Sequence, residues 1–121
     1  MDSERLAELV LRQIEGYRYD PPPGLIGNAL PPEEVRRYIE RLRQALVRPY
    51  LQRFELRETA EQIGREHPEY AEYWVVAEGG GDYVEWYDPE RGEFGLAVRG
   101  GSGVPVSIGV RGDVVGAFIA M

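Results

Sequence analysis

The sequence predicts an α+β fold, with two N-terminal helices packed on one face of a mostly antiparallel five- or six-stranded sheet. Three observations carry the prediction. Apolar residues recur at steps of three and four only in the first part of the chain. From Tyr50 onward they alternate, among many Val, Tyr, Trp and Phe. Clusters of Gly, Pro and Asp separate the alternating runs. Helices followed by strands, rather than interleaved with them, give α+β. The 121 residues are enough for one domain with a real core. Residues 1–48 form its helical part with a proline-rich loop, and 49–121 its sheet part.

Ser3 to Glu15 is the first expected helix, because Leu6, Leu9, Val10 and Ile14 make one stripe and Gly16 provides a stop. The segment from Gly16 to Leu30 contains three consecutive prolines, which exclude helix and central strand. With Tyr17, Tyr19, Leu25 and Ile26 it is too apolar for a simple linker, and it reads either as a cover over the core or as a binding loop. Residues 32–47 are the second expected helix. Pro31 and Pro32 suit its first turn, Glu33 and Glu34 its N-terminal dipole, and Val35, Tyr38, Ile39, Leu42 and Leu46 its apolar face.

Tyr50 to Leu56 alternates and suggests a first strand, with a helix continued past Pro49 as the competing reading. Thr59 and Gln62 have the spacing of a capping box and open a short helix that Pro68 limits. Tyr73 to Val98 holds both tryptophans and reads as three strands. In Tyr83–Tyr87, Val84 and Trp86 share one face and Glu85 lies on the other, toward solvent. Asp88-Pro89-Glu90-Arg91-Gly92 is a turn with proline at its first corner and a glycine able to take positive φ at its exit. Phe94, Leu96 and Val98 share a face opposite Gly95 and Ala97. Val104 to Val110 alternates again, Arg111-Gly112-Asp113 is a tight turn, and Val114 to Met121, apolar on both faces, is expected to be a buried central strand.

The composition narrows the function. With 43% hydrophobic and 29% charged residues the chain is globular, not disordered. Its longest apolar run is far short of the roughly 20 residues of a membrane span. The N-terminus has no basic-then-apolar leader pattern, so a cytoplasmic location is expected. Without Cys there is neither disulfide nor thiolate chemistry, and without Lys there is no Schiff base and no phosphate-loop lysine. The net charge of −7 argues against a nucleic-acid partner. That charge is concentrated: residues 55–93 hold 12 acids and 3 Arg, a net of −9.

Few residues carry recognisable chemistry. His67, the single histidine, lies near Glu69 and Glu72, but one His with carboxylates at those offsets is not a zinc pattern, and no metal or cofactor is expected. Glu85 and Asp88, with His67, are the first suspects if a carboxylate pair works as acid and base. Gly79-Gly80-Gly81 and Gly100-Gly101-Ser102-Gly103 lack the spacing of phosphate-binding loops and read as turns. Tyrosines crowd the acidic region, and tyrosine is favoured at protein interfaces. Glu72, Tyr73, Glu78, Asp82, Tyr83, Glu85, Tyr87 and Asp88 are therefore the expected partner-binding residues, an acidic face for a basic protein.

Residues 69–121, with the E-Y-W-V-V-A strand at Glu72–Ala77 and the D-P-E-x-G-E-F hairpin at Asp88–Phe94, resemble the immunity proteins of bacterial polymorphic toxin systems and small uncharacterised bacterial α+β families near them. The resemblance implies a non-enzymatic protein that binds and blocks a cognate toxin, and it transfers no functional residue, because immunity surfaces vary with the toxin. Two other expectations stand beside this one. One is a small enzyme or ligand-binding domain with a pocket under the 20–30 loop, at Pro21–Gly24. The other is a homo-oligomer packing through the small-residue face of Gly95, Ala97, Ser107 and Gly109.

Overall fold

A computed structural model of the chain describes residues 1–19, 29–79, 81–100 and 103–120. Helices α1 (Ser3–Glu15) and α2 (Pro32–Ala45) come first. Strand β1 (Leu46–Leu56), a one-turn helix α3 (Ala60–Ile63), strands β2 (Glu69–Glu78), β3 (Tyr83–Asp88), β4 (Glu93–Val98) and β5 (Val106–Gly112), and helix α4 (Val114–Ile119) follow. The 20–28 part of the proline-rich segment, and with it the pocket expected under Pro21–Gly24, lies outside the described residues. Among the described residues no helix is long and apolar enough to cross a membrane.

The five strands run antiparallel in sequence order and close into a barrel, β1-β2-β3-β4-β5. In such a meander alternate strands point in opposite directions, so the first and fifth point the same way. Their closing pair must then be parallel, and it is: Glu55 faces Val106 and Leu56 faces Ser107, with the Glu55 amide donating to the Pro105 carbonyl at 2.9 Å. Closure was not legible as such; an α+β fold with a five- or six-stranded, mostly antiparallel sheet was.

Alternation sorts the side chains to the two surfaces of the barrel. Phe54, Tyr73, Val75, Val84, Trp86 and Ala97 fill its interior, with Tyr73 stacked on Trp86 at 4.2 Å. Leu6, Val10 and Ile14 of α1, Leu42 of α2 and Val114, Val115, Ala117 and Phe118 of α4 cover Val76, Ala77, Tyr87 and Phe94 on the outside. An irregularity between Val75 and Ala77 lets Val75 face inward while Val76 and Ala77 both face the helices.

Four expectations need correction. The second helix ends at Ala45, not 47: Leu46 already has extended backbone, with ψ 136°, and begins β1. The chain goes straight into β1, with Pro49 at an irregularity between Leu46 and Tyr50 and its carbonyl accepting a bond from Ser3 Oγ at 2.8 Å. The run expected as a central strand is helical over Val114–Ile119, with Met121 outside the described residues: Asp113 accepts a hydrogen bond from the Gly116 amide and caps α4, whose Val114, Val115, Ala117 and Phe118 are buried at helical spacing. Glu85 does not face solvent but is buried, because α4 covers that face of the barrel. Gly95, Ala97 and Ser107 of the small-residue face are buried as well and turn inward, whereas Gly109 is exposed. A methyl group on Gly95 would overlap the Trp86 indole, so its hydrogen is what seats the ring.

Candidate functional site

The barrel opens at the end where β1 finishes and the β3–β4 turn begins, and there Arg111 gathers a cluster of polar side chains. Its guanidinium lies over Trp86, 4.8 Å from the ring centre. Nε donates to Glu58 Oε1 at 2.8 Å, Nη1 to Asp88 Oδ2 at 3.2 Å and Nη2 to the Tyr73 hydroxyl at 3.1 Å. Glu93 adds a longer ion pair at 3.7 Å. The Tyr73 hydroxyl donates in turn to Glu58 Oε2 at 3.3 Å.

Local sequence explains each placement. The Thr59–Gln62 capping box is formed, and the Gln62 side chain also accepts from the Glu58 amide at 2.9 Å, which fixes Glu58 at the start of the turn. The Glu58 backbone passes directly over Gly109. A Cβ there would lie 2.6 Å from the Glu58 carbonyl oxygen, and φ is +86°, so both space and backbone call for glycine. Asp88 ends β3, and its Oδ1 accepts from the Glu90 amide at 3.0 Å as the turn begins, leaving Oδ2 for Arg111.

Burial alone would lower the affinity of Arg111 for its proton, but the bonds and charges of Glu58 and Asp88 more than offset this, so it is held firmly cationic. Burial, and then the Glu58 charge, push the Tyr73 hydroxyl above its ordinary value, so it remains a neutral donor. Every donor direction of Arg111 described here ends on the floor of its own site.

Above this floor is a cleft of about 720 Å³. Its walls carry Glu58, Glu69, Glu72, Asp88 and Glu90 against Arg91 and Arg111, five carboxylates to two guanidiniums. Glu69 is paired with Arg65. Among the described residues Glu72 and Glu90 have no such ion pair.

A second cluster closes the other end of the barrel. Tyr50 donates to Glu78, and Arg99 donates to Glu78 at 2.6 Å and to the Tyr50 hydroxyl at 2.8 Å. The hydrogen bonds from Tyr50 and then Arg99 hold the Glu78 carboxyl below its ordinary value.

The eight residues expected to form one acidic, tyrosine-rich face are distributed over three places. Glu72, Tyr73 and Asp88 meet at the cleft, with Tyr73 and Asp88 in its floor rather than exposed. Glu78, Asp82 and Tyr83 are at the opposite end of β2 and β3. Glu85 and Tyr87 lie under the helices. Glu85 and Asp88 project from opposite faces of β3, and His67 is exposed in the turn before β2, so the suspected acid–base set does not converge. Among the described residues no three His, Asp or Glu side chains are grouped to hold a metal ion.

Glu58, Gly109 and Arg111 were not legible as site residues. A signal did exist. Arg111 alternates in step with Pro105 and Ser107, which are buried while Ile108 is exposed, and Ser107 and Arg111 pair with Ala97 and Gly95 on the inner side of β4. An arginine in the inward register needs carboxylates, and the capping box places one immediately before Thr59.

No protein-family model, no curated protein and no solved structure matches the chain. What the protein does is therefore argued from the cleft itself.

Proposed function

We propose that the chain is a non-enzymatic protein-binding domain that takes a basic partner at the acid-walled cleft, acting as an inhibitor in the manner of an immunity protein that covers a basic toxin such as a nuclease. One observation carries this reading. The site's own buried cation is consumed by the floor, while the rim carboxylates Glu72 and Glu90 remain without ion pairs beside an open volume. Charge of one sign around a concave surface accelerates encounter with the opposite sign and rejects acidic competitors. Glu72 is retained from the expected face. Glu90, at the tip of the β3–β4 turn, replaces Glu85, which is buried.

The experiment is affinity capture. The immobilised chain is exposed to lysate of its source organism at low and high salt, beside a Glu72→Arg, Glu90→Arg variant. A basic protein retained stoichiometrically by the wild type, released by salt and lost by the variant is the expected result. A partner retained equally by both would refute the cleft as its site.

The cleft volume favours a second reading, a domain for a small cationic ligand, since small-molecule pockets span about 300–1,000 Å³. A thermal shift with arginine or a polyamine that the Glu72→Arg, Glu90→Arg variant loses would support it over the protein partner.

A further inference from the structure

Among the described residues Glu85 is the one fully buried carboxyl that the cleft does not use. It is 1% exposed, and neither carboxylate oxygen has a hydrogen-bond partner among the described residues. It lies on the outer face of β3, two residues before Tyr87 and on the same side, with Ala77 of β2 and Leu96 of β4 as its cross-strand neighbours. Neither neighbour can donate to it. Among the helices, α4 makes the main contact with β3 and β4, and its Val114–Ile119 sequence carries no ionisable or donor side chain.

The charged and titratable groups around it all disfavour a carboxylate there. Asp113, the N-cap of α4, supplies a like charge. Among the described residues no cation is paired with Glu85. We propose that Glu85 is a pH-dependent release for α4: neutral, it lies under the docked helix, and ionised, it drives α4 off the β3–β4 face.

The surrounding structure makes α4 the element that yields. Six residues are too few for a helix to persist by itself, so α4 is held by packing. Its one side-chain hydrogen bond to another element among the described residues runs from the Val114 amide to Gln13 Oε1 at 3.1 Å, and otherwise it is held by the apolar packing of Val114, Val115, Ala117 and Phe118 against the sheet, α1 and α2. Gly112, just before the cap, provides a pivot without a side chain. The β3 and β4 backbones, by contrast, are bonded along six residue pairs. Burial, and then Asp113, hold the Glu85 carboxyl well above the usual carboxylate range. Lifting α4 returns that group to water, where it ionises freely. One proton is therefore linked to docking, and the docked-to-released ratio falls about tenfold per pH unit between the ordinary and the raised value.

The test is amide hydrogen exchange on the full chain from about pH 5 to about pH 9, corrected for intrinsic rates, comparing wild type with Glu85→Gln. In the wild type, protection at Ala117 and Ala120, whose amides close the α4 turns, should fall by up to about tenfold per pH unit while the β3–β4 ladder stays protected. In Glu85→Gln it should be flat. Pairwise loss of α4 and ladder together in the wild type would mean global unfolding and overturn the proposal, as would pH-independent protection of α4 or a Glu85→Gln profile like that of the wild type. If Glu85→Gln does not fold, Glu85→Leu, which fills the site without polar atoms, makes the same comparison.

Discussion

Replacing Arg111 by alanine isolates the centre of the candidate site. The substitution removes three donors at once and leaves Glu58 and Asp88, with side chains only 9% and 8% exposed, facing one another without a cation. Removing one partner of a buried ion pair costs about 3–5 kcal/mol, because the remaining charge stays desolvated. The guanidinium is one-fifth exposed, so solvent screens part of this and the lower end is expected, about 3 kcal/mol. For a chain of this length that lowers Tm by roughly 12 °C. The assay is urea unfolding followed by Trp fluorescence, with Trp86 as a reporter beneath the guanidinium. Arg111→Lys should recover little, since an ammonium cannot span Glu58, Asp88 and Tyr73. Adding Glu58→Gln and Asp88→Asn to Arg111→Ala should restore part of the loss, the coupling a mutant cycle measures. If Arg111→Ala costs under about 1 kcal/mol, the cluster behaves as a surface ion pair and does not organise the cleft.

Other perturbations have equally definite outcomes. Gly95→Ala drives a methyl group into Trp86 and the Val110 carbonyl and should destabilise by about 1–3 kcal/mol in the same unfolding assay. Gly109→Ala meets both the Glu58 carbonyl and a positive φ, and should lower Tm while weakening partner capture, because Glu58 must move. Glu78→Gln, at the solvent-screened far end, should cost under about 1 kcal/mol. Since the Glu78 carboxyl is held below its ordinary value when folded, its contribution is present above that value and disappears as pH falls, which acid titration of the variant would reveal as a reduced slope. Glu85→Leu has the opposite sign. The wild-type carboxyl is raised on folding, so its cost is absent in acid and grows with pH, and the gain in Tm from leucine should be larger near pH 8 than near pH 4.

The sequence made the first three helices and the β3–β4 hairpin legible because each is encoded locally. Ser3–Glu15 carries its own stripe and stop, Thr59–Gln62 its own box, and Asp88–Gly92 its own turn. Barrel closure was not local: two parallel residue pairs join Glu55 and Leu56 to Val106 and Ser107 across about fifty positions of chain. Val114–Ile119 was expected as a buried strand and is a helix, because a short run apolar on both sides suits either equally and the Asp113 cap selects the helix. The same limit applied to the site. Alternation separated Glu85 from Trp86 correctly but could not show that α4 covers one face, so a buried carboxyl was placed in solvent. Glu58 and Arg111, 53 positions apart, meet only when the barrel closes.

The central claim is that the cleft, rather than the protein's overall negative charge, receives a basic partner. Its most direct test is calorimetric titration of the captured partner into three proteins at several salt concentrations: wild type, Glu72→Arg with Glu90→Arg, and Glu33→Arg with Glu40→Arg. The last pair makes the same charge change on α2, at exposed positions that do not line the cleft. Loss of affinity by about tenfold or more in the cleft variant, with a shallower salt dependence and near-wild-type binding in the α2 variant, is what the account predicts. Equal losses in both variants would contradict it, because net charge alone would then explain binding and the cleft would have no part in it.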